Sequence, residues 1–259
     1  MLERQGSKRE INGTDFTKTT LWRRTDKNHS PLIAPLSIVL KVGFKFMEKS
    51  MVGEENPRTV YWLDNNLYLN ITNRCSNNCV FCIKNFRKGV GGFNLKLAEE
   101  PAVAQVIAEL EGVMNTKNWA ELVFCGFGEP TERLDCLLEV TRWIRRHYGK
   151  PLSVRVNTDG HGYVLNRNRD VAKELKAAGV DKVSVSLNAS DEKAYEEVCR
   201  PKFDNAYRVV LEFIAKAKEE LEVEITAVRM PEVDLQKIVA IAEEMKVKFR
   251  LRDYIPCFW

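Results

Sequence analysis

The 259-residue chain has no set of spaced cysteine pairs: its seven cysteines are a tight group of three plus four scattered singly. That pattern argues against a disulfide framework and for a reducing cytoplasm. It also lacks a long apolar run. Leu32 to Phe46 spans 15 residues and is broken by Lys41 and Lys45, whereas a bilayer crossing needs about 20. The run begins too far into the chain, with no small-residue cleavage site, to suit a signal peptide. No membrane role is expected. There is no large excess of charge either. A net +4 permits an anionic substrate or some nucleic-acid contact and demands neither. Histidine is scarce, with three in the chain.

What is present is a triplet, Cys75, Cys79 and Cys82, in C-x3-C-x2-C spacing. Three thiolates this close can hold three corners of a [4Fe–4S] cube. No fourth cysteine lies beside them, so one iron is left open to bind and activate a small molecule. The competing reading is zinc, but a structural zinc site wants a fourth nearby Cys or His, and this loop has none.

Residues 1–56 differ from the rest. They are basic and polar at first, with Lys8-Arg9-Glu10 and Arg23-Arg24, and show no helical period. We read them as a poorly structured N-terminal extension or a start assigned too far upstream, with Met47 or Met51 as alternatives. Residues 57–259 form the core domain. Within it, short runs rich in Val, Ile, Leu or Phe read as strands: Leu67–Thr72, Glu121–Gly126, Leu152–Asn157, Lys182–Leu187, Val223–Val228 and Val247–Leu251. Helical patterns lie between them at Ala102–Leu110, Leu134–Tyr148, Val171–Ala178, Ala206–Glu220 and Leu235–Met245. Six strands alternating with helices predict an α/β fold, an open (β/α)6 TIM-like barrel, with a doubly wound sheet as the alternative.

In a parallel sheet the strand C-termini share one face. The unusual residues follow those ends: the cysteine triplet, Gly126-Phe-Gly-Glu-Pro130, Asn157-Thr-Asp-Gly-His-Gly162, and Ser184, Ser186 and Asn188. His161 is a candidate substrate acid or base, or an ordinary turn residue. Cys199 is a candidate hydrogen donor, or a buried side chain ending a short helix. Cys125 and Cys136 read as core. Gly89-Val-Gly-Gly-Phe-Asn94 suits a mobile loop, without the spacing and lysine of a P-loop.

The triplet, with Phe81 before its last cysteine, resembles the cluster loop of the radical SAM superfamily, and Gly126–Pro130 resembles that superfamily's Gly-Gly-Glu-Pro motif. More narrowly, the runs from Leu67 to Cys75, Val123 to Thr131 and Val183 to Ala189, with Cys199-Arg-Pro201, resemble the TatD-associated radical SAM proteins. The resemblance implies a [4Fe–4S] cluster on Cys75, Cys79 and Cys82, with S-adenosylmethionine (SAM) chelating the fourth iron. Reductive cleavage would give a 5′-deoxyadenosyl radical that acts on an unknown substrate. On this reading Gly126 and Gly128 let backbone approach the methionine ammonium, Glu129 reinforces that contact and Pro130 fixes the turn. Arg155 pairs with the methionine carboxylate, or faces solvent. Asn157, Thr158, Ser184, Ser186 and Asn188 are candidates for the ribose or carboxylate. Expected partners are an external one-electron donor of the flavodoxin or ferredoxin type and a TatD-type nuclease. Two other readings remain: a glycyl-radical activase acting on a partner protein, and a cluster-bearing nucleic-acid-binding or regulatory module without turnover. No second cluster motif or appended substrate domain is expected.

Overall fold

The computed structural model describes residues 56–149 and 151–254. The N-terminal extension up to residue 55, its apolar run and Cys257 lie outside the described residues.

Seven strands form one sheet. A hairpin opens it: β1 (Val60–Leu63) runs antiparallel to β2 (Asn66–Leu69). Asp64, in the left-handed region at φ 51°, makes the turn between them. After the hairpin come β5 (Glu121–Phe124), β6 (Ser153–Thr158), β7 (Lys182–Ser186), β8 (Glu222–Val228) and β9 (Lys248–Arg252). They pair in parallel and in chain order from β2 to β9. A doubly wound sheet reverses its strand order at a switch point, and this one does not. The six parallel strands are those of the expected (β/α)6 barrel.

Two predicted helices, α2 (Leu134–Tyr148) and α4 (Val171–Ala178), have the observed bounds, while α1 (Val103–Met114) runs four residues past the expected end at Leu110. The helix α6 (Ala206–Ala217) ends three residues short of the expected Glu220. Further along, α7 (Leu235–Glu244) is capped by Asp234, whose side chain accepts from the Lys237 amide. The helix α3 (Gly162–Leu165) was not among the predicted elements, while α5 (Glu192–Cys199), capped by Asp191, is the short helix that Cys199 ends on one reading of the sequence, and Cys199 is buried there. The Gly89–Asn94 segment is not a free loop. Its ends pair as β3 (Gly89–Val90) and β4 (Phe93–Asn94), and Phe93 packs among Tyr61, Leu95 and Phe127. That apolar contact corrects the mobile-loop expectation.

Strand periodicity divides the sheet's two faces. Leu67, Leu69, Leu122, Phe124, Val154, Val156, Val183, Val185, Val223, Ile225 and Ala227 are buried in one core with the helices. The alternate residues on β5 to β9 are mostly polar, and many are charged. They include Glu121, Arg155, Ser184, Glu224 and Arg250, which hydrogen-bond or pair with one another across strands, and Arg252, which reaches Ser186.

Candidate active site

The cysteine loop leaves the C-terminal end of β2 and is fastened to the far side of the barrel. The amides of Asn78 and Val80 donate to the carbonyls of Cys199 (3.0 Å) and Val198 (3.0 Å). These carbonyls end α5 and have no partner within the helix. Asn77 bridges to Pro201, the Lys202 amide donates to Ser76 O (2.9 Å), and Lys202 Nζ donates to Cys75 O (2.7 Å). The Cys199-Arg-Pro201 run is therefore where the cluster loop docks. Arg200 turns the chain there in the left-handed region, at φ 49°.

A buried polar network backs this loop. Ser76 Oγ donates to Asp159 Oδ2 (2.8 Å) and meets His161 Nδ1 (2.8 Å). Ser76 has one proton and gives it to Asp159, so His161 Nδ1 carries a hydrogen, and Nε2 lies within hydrogen-bond distance of Tyr195 Oη (3.1 Å). Tyr195 Oη in turn accepts from Asn77 Nδ2 (3.0 Å). His161 is 0% exposed. This corrects the expectation of a substrate acid or base: both ring nitrogens are used inside the protein, and the residue pins the cluster loop. Burial opposes the Asp159 charge. The His161 ring and hydrogen bonds from His161 and Ser76 outweigh that and hold its pKa below the usual value.

The Gly126–Pro130 turn fits against the same loop. A Cβ on Gly128 would lie 2.4 Å from Arg74 O and 2.5 Å from Thr72 O; one on Gly126 would lie 2.0 Å from Asn70 Oδ1. What these glycines admit is the protein's own chain at the root of the cysteine loop. The Glu129 carboxylate accepts from Thr131 N (3.0 Å), Thr131 Oγ1 (2.7 Å), Thr158 Oγ1 (2.8 Å) and Asp159 N (2.6 Å). It joins the ends of β5 and β6 and caps the short 3-10 turn Pro130–Arg133. Burial, and then the Asp159 charge, push its pKa up to about 8. Thr158 is thereby committed to Glu129, on the buried side with Val154 and Val156, which corrects its ribose role.

Arg155 points to the polar face, and its fork is filled. Nη2 pairs with Glu121 at 2.7 Å, and Nη1 reaches Asn157 Oδ1 (3.1 Å), Ser184 Oγ (3.2 Å) and Glu224 (3.8 Å). Protein carboxylates occupy the place expected for a methionine carboxylate, which corrects that assignment. Ser184 is also drawn into this set, donating to Glu224 at 2.5 Å. Ser186 and Asn188 sit one level higher, toward the strand ends, and meet a residue outside the expected set. Arg252 Nη2 donates to Ser186 Oγ (3.3 Å) and Asn188 Oδ1 (3.2 Å). Asn188 is held by the Val228 amide (3.0 Å) at φ 53°. Burial lowers the Arg252 pKa, and Cys125, Cys79 and Cys199 all lie within electrostatic reach. The signal for Arg252 was in the sequence: Lys248-Phe-Arg-Leu-Arg252 alternates cations at period two, but the expected strand ended one residue early.

The donor set suits an iron–sulfur cluster. Cys75, Cys79 and Cys82 are partly buried and unpaired in disulfides. Burial raises the Cys75 and Cys82 pKa values; for Cys79 a hydrogen bond with Cys199 comes first and burial second. Protonated thiols at these positions are poor ligands until a cationic metal centre displaces the protons, so loading is expected to release them. The soft thiolate set and the surrounding apolar residues suit iron–sulfur chemistry.

Comparisons with known proteins show the family and the fold. The Radical SAM superfamily model matches residues 69–245. A GTP 3′,8-cyclase of Rhodopirellula baltica is 27% identical over 199 residues, covering 73% of this chain and 50% of its own. A probable GTP 3′,8-cyclase of Methanococcus vannielii is 26% identical over 190 residues, covering 73% and 58%. The chain thus spans little more than half the length of these relatives. Among solved structures, Streptococcus suis SuiB aligns with a TM-score of 0.56 at 14% identity, over 83% of this chain and 44% of its own. TYW1 with a lysine-pyruvate adduct bound aligns at 0.53 and 16%, over 86% and 82%. These likenesses show a shared fold. With a family match that runs from the end of β2 to just beyond α7, the chain belongs to the Radical SAM superfamily, whose members use a [4Fe–4S] cluster and SAM.

Proposed function

We propose that the chain cleaves SAM reductively and uses the resulting radical on a substrate held at the strand-end mouth. The observation that carries this is the cysteine triplet, seated at the C-terminal end of β2 and fastened to α5, beside the Gly126–Pro130 turn. Cys75, Cys79 and Cys82 would hold the cluster. When bound there, the cluster and SAM would supply one-electron chemistry: reductive cleavage to methionine and a 5′-deoxyadenosyl radical able to take a hydrogen atom from a substrate. The protein's own part is to hold and shield. The α5 carbonyls fix the loop backbone, while Ser76, Asp159, His161 and Tyr195 support it from behind. Glu129 locks the neighbouring turn. Ser186 and Asn157, both part-exposed, are the polar groups of the expected set nearest the mouth for SAM, while Asn188 is buried and holds Val228 and Arg252. The polar barrel face beneath them keeps its charges paired.

Within the superfamily, we propose that the chain resembles the TatD-associated group, on the three runs from Leu67, Val123 and Val183 and on Cys199-Arg-Pro201. A TatD-type nuclease partner and an external electron donor follow from it. A cytoplasmic site is consistent with six described cysteines left as thiols. Among the described residues no helix is long and apolar enough to cross a membrane.

The test is anaerobic. Protein reconstituted with iron and sulfide is given SAM and dithionite, and 5′-deoxyadenosine is sought by mass spectrometry. The wild type is expected to form it and Cys79→Ala to form none. Equal product from the two would remove the cluster from the account.

A further inference from the structure

The polar face of the barrel follows a pairing rule that fails at one place. Along β9 the inward residues are Lys248, Arg250 and Arg252; along β8 they are Glu222, Glu224, Thr226 and Val228. In register, Lys248 lies beside Glu224, Arg250 beside Thr226 and Arg252 beside Val228. Each of the first two cations reaches back to the acid one step below its neighbour: Lys248 pairs with Glu222 at 2.6 Å and Arg250 with Glu224 at 2.8 Å. By the same step Arg252 would reach position 226, which is a threonine. The other inward cations, Arg155 and Lys182, pair with Glu121 at 2.7 and 2.5 Å.

Arg252 is thus the exception. Among the described residues no carboxylate pairs with it, and its Nε is buried with no hydrogen-bond partner. A desolvated guanidinium without a counter-ion is costly, and a buried charge normally has a partner. Its aim is fixed by Ser186 and Asn188, at the strand-end mouth beside the cluster loop. A guanidinium with a free Nε–H edge matches a planar or tetrahedral oxyanion.

We propose that Arg252 is the receptor for an oxyanion of the substrate, a carboxylate or phosphate, which enters at the mouth and supplies the acid that β8 omits. This rests on the reading of the mouth as the site of radical chemistry. The substrate is accordingly an anionic molecule, held by that group while another part of it faces the radical.

The test uses the full-length, cluster-loaded, reduced protein with methylphosphonate as probe, SAM being added only after the probe's effect has been recorded. The reduced cluster is paramagnetic, so a phosphonate bound near it relaxes faster in 31P NMR. The wild type is expected to enhance relaxation saturably. R252Q should weaken probe binding by about tenfold or more, as loss of a charge-assisted contact implies. R252K, which keeps the charge, should restore part of it, and iron content with melting temperature shows that each variant is folded. The proposal is overturned if the wild type gives no enhancement, or if R252Q matches it. It is also overturned if SAM displaces the probe and R252Q weakens SAM binding by the same factor, because the guanidinium would then serve the cofactor. A cluster signal unaltered by SAM would instead count against the radical reading, and that is measured separately on the same samples.

Discussion

At Gly128 an added methyl would meet two backbone carbonyls, those of Arg74 and Thr72, at 2.4 and 2.5 Å. Backbone cannot swing aside as a side chain can, so the Gly126–Pro130 turn and the root of the cysteine loop would have to part. Gly128→Ala is therefore expected to cost about 1–3 kcal/mol, in the range of overpacked sites. It should also lower iron bound per chain on reconstitution. Urea denaturation and iron analysis check this, and a variant with wild-type midpoint and wild-type iron would contradict it. Period two put Arg155 opposite Val154 and Val156, as found, but could not show that Glu121 and Glu224 already fill its fork. Thr158 and His161 follow a strand end in the sequence, yet their partners, Glu129, Ser76 and Tyr195, are brought in by tertiary folding alone.

At the scale of elements, the cluster loop depends on α5. The helix end offers unsatisfied carbonyls, the loop offers amides, and His161 and Tyr195 fasten the two from inside. If His161 only supports the loop, His161→Ala should destabilise the protein by about 1–3 kcal/mol, the penalty for stranding buried polar partners. The pH dependence of SAM cleavage should keep its wild-type shape. Loss of one limb of that profile would instead make His161 a proton carrier in the reaction. The parallel strands were legible as short runs rich in Val, Ile, Leu or Phe bounded by turn or cap residues, and the five helices by an apolar period near 3.6. The β1 strand was not: it is four residues long and is defined by its antiparallel pairing with β2 across the Asp64 turn. At two residues each, β3 and β4 are too short to carry a period at all.

At the scale of the molecule, the barrel holds charge where many barrels hold aliphatic layers, and its lower pairs differ in worth. The Arg155–Glu121 side chains are 11% exposed on each side, while Lys248 and Glu222 are 72% and 54% exposed. Glu121→Gln leaves Arg155 with only the more distant Glu224, at 3.8 Å, and weakens the hold on Lys182, and should cost about 2–3 kcal/mol. Glu222→Gln breaks an open pair and should cost under about 1 kcal/mol. Equal losses in thermal or urea denaturation would contradict this grading by burial. The sequential strand order could not be read from the sequence, because pairing is decided between segments far apart in the chain. What it places at one end of the barrel is three thiols, a locked turn and an arginine lacking an acid.

The most direct test of the central claim, an iron left open for SAM, is the electron paramagnetic resonance spectrum of the dithionite-reduced, cluster-loaded protein before and after SAM is added. The account predicts a spectrum that changes with SAM and saturates. A fully loaded cluster whose spectrum is identical with and without SAM would contradict it.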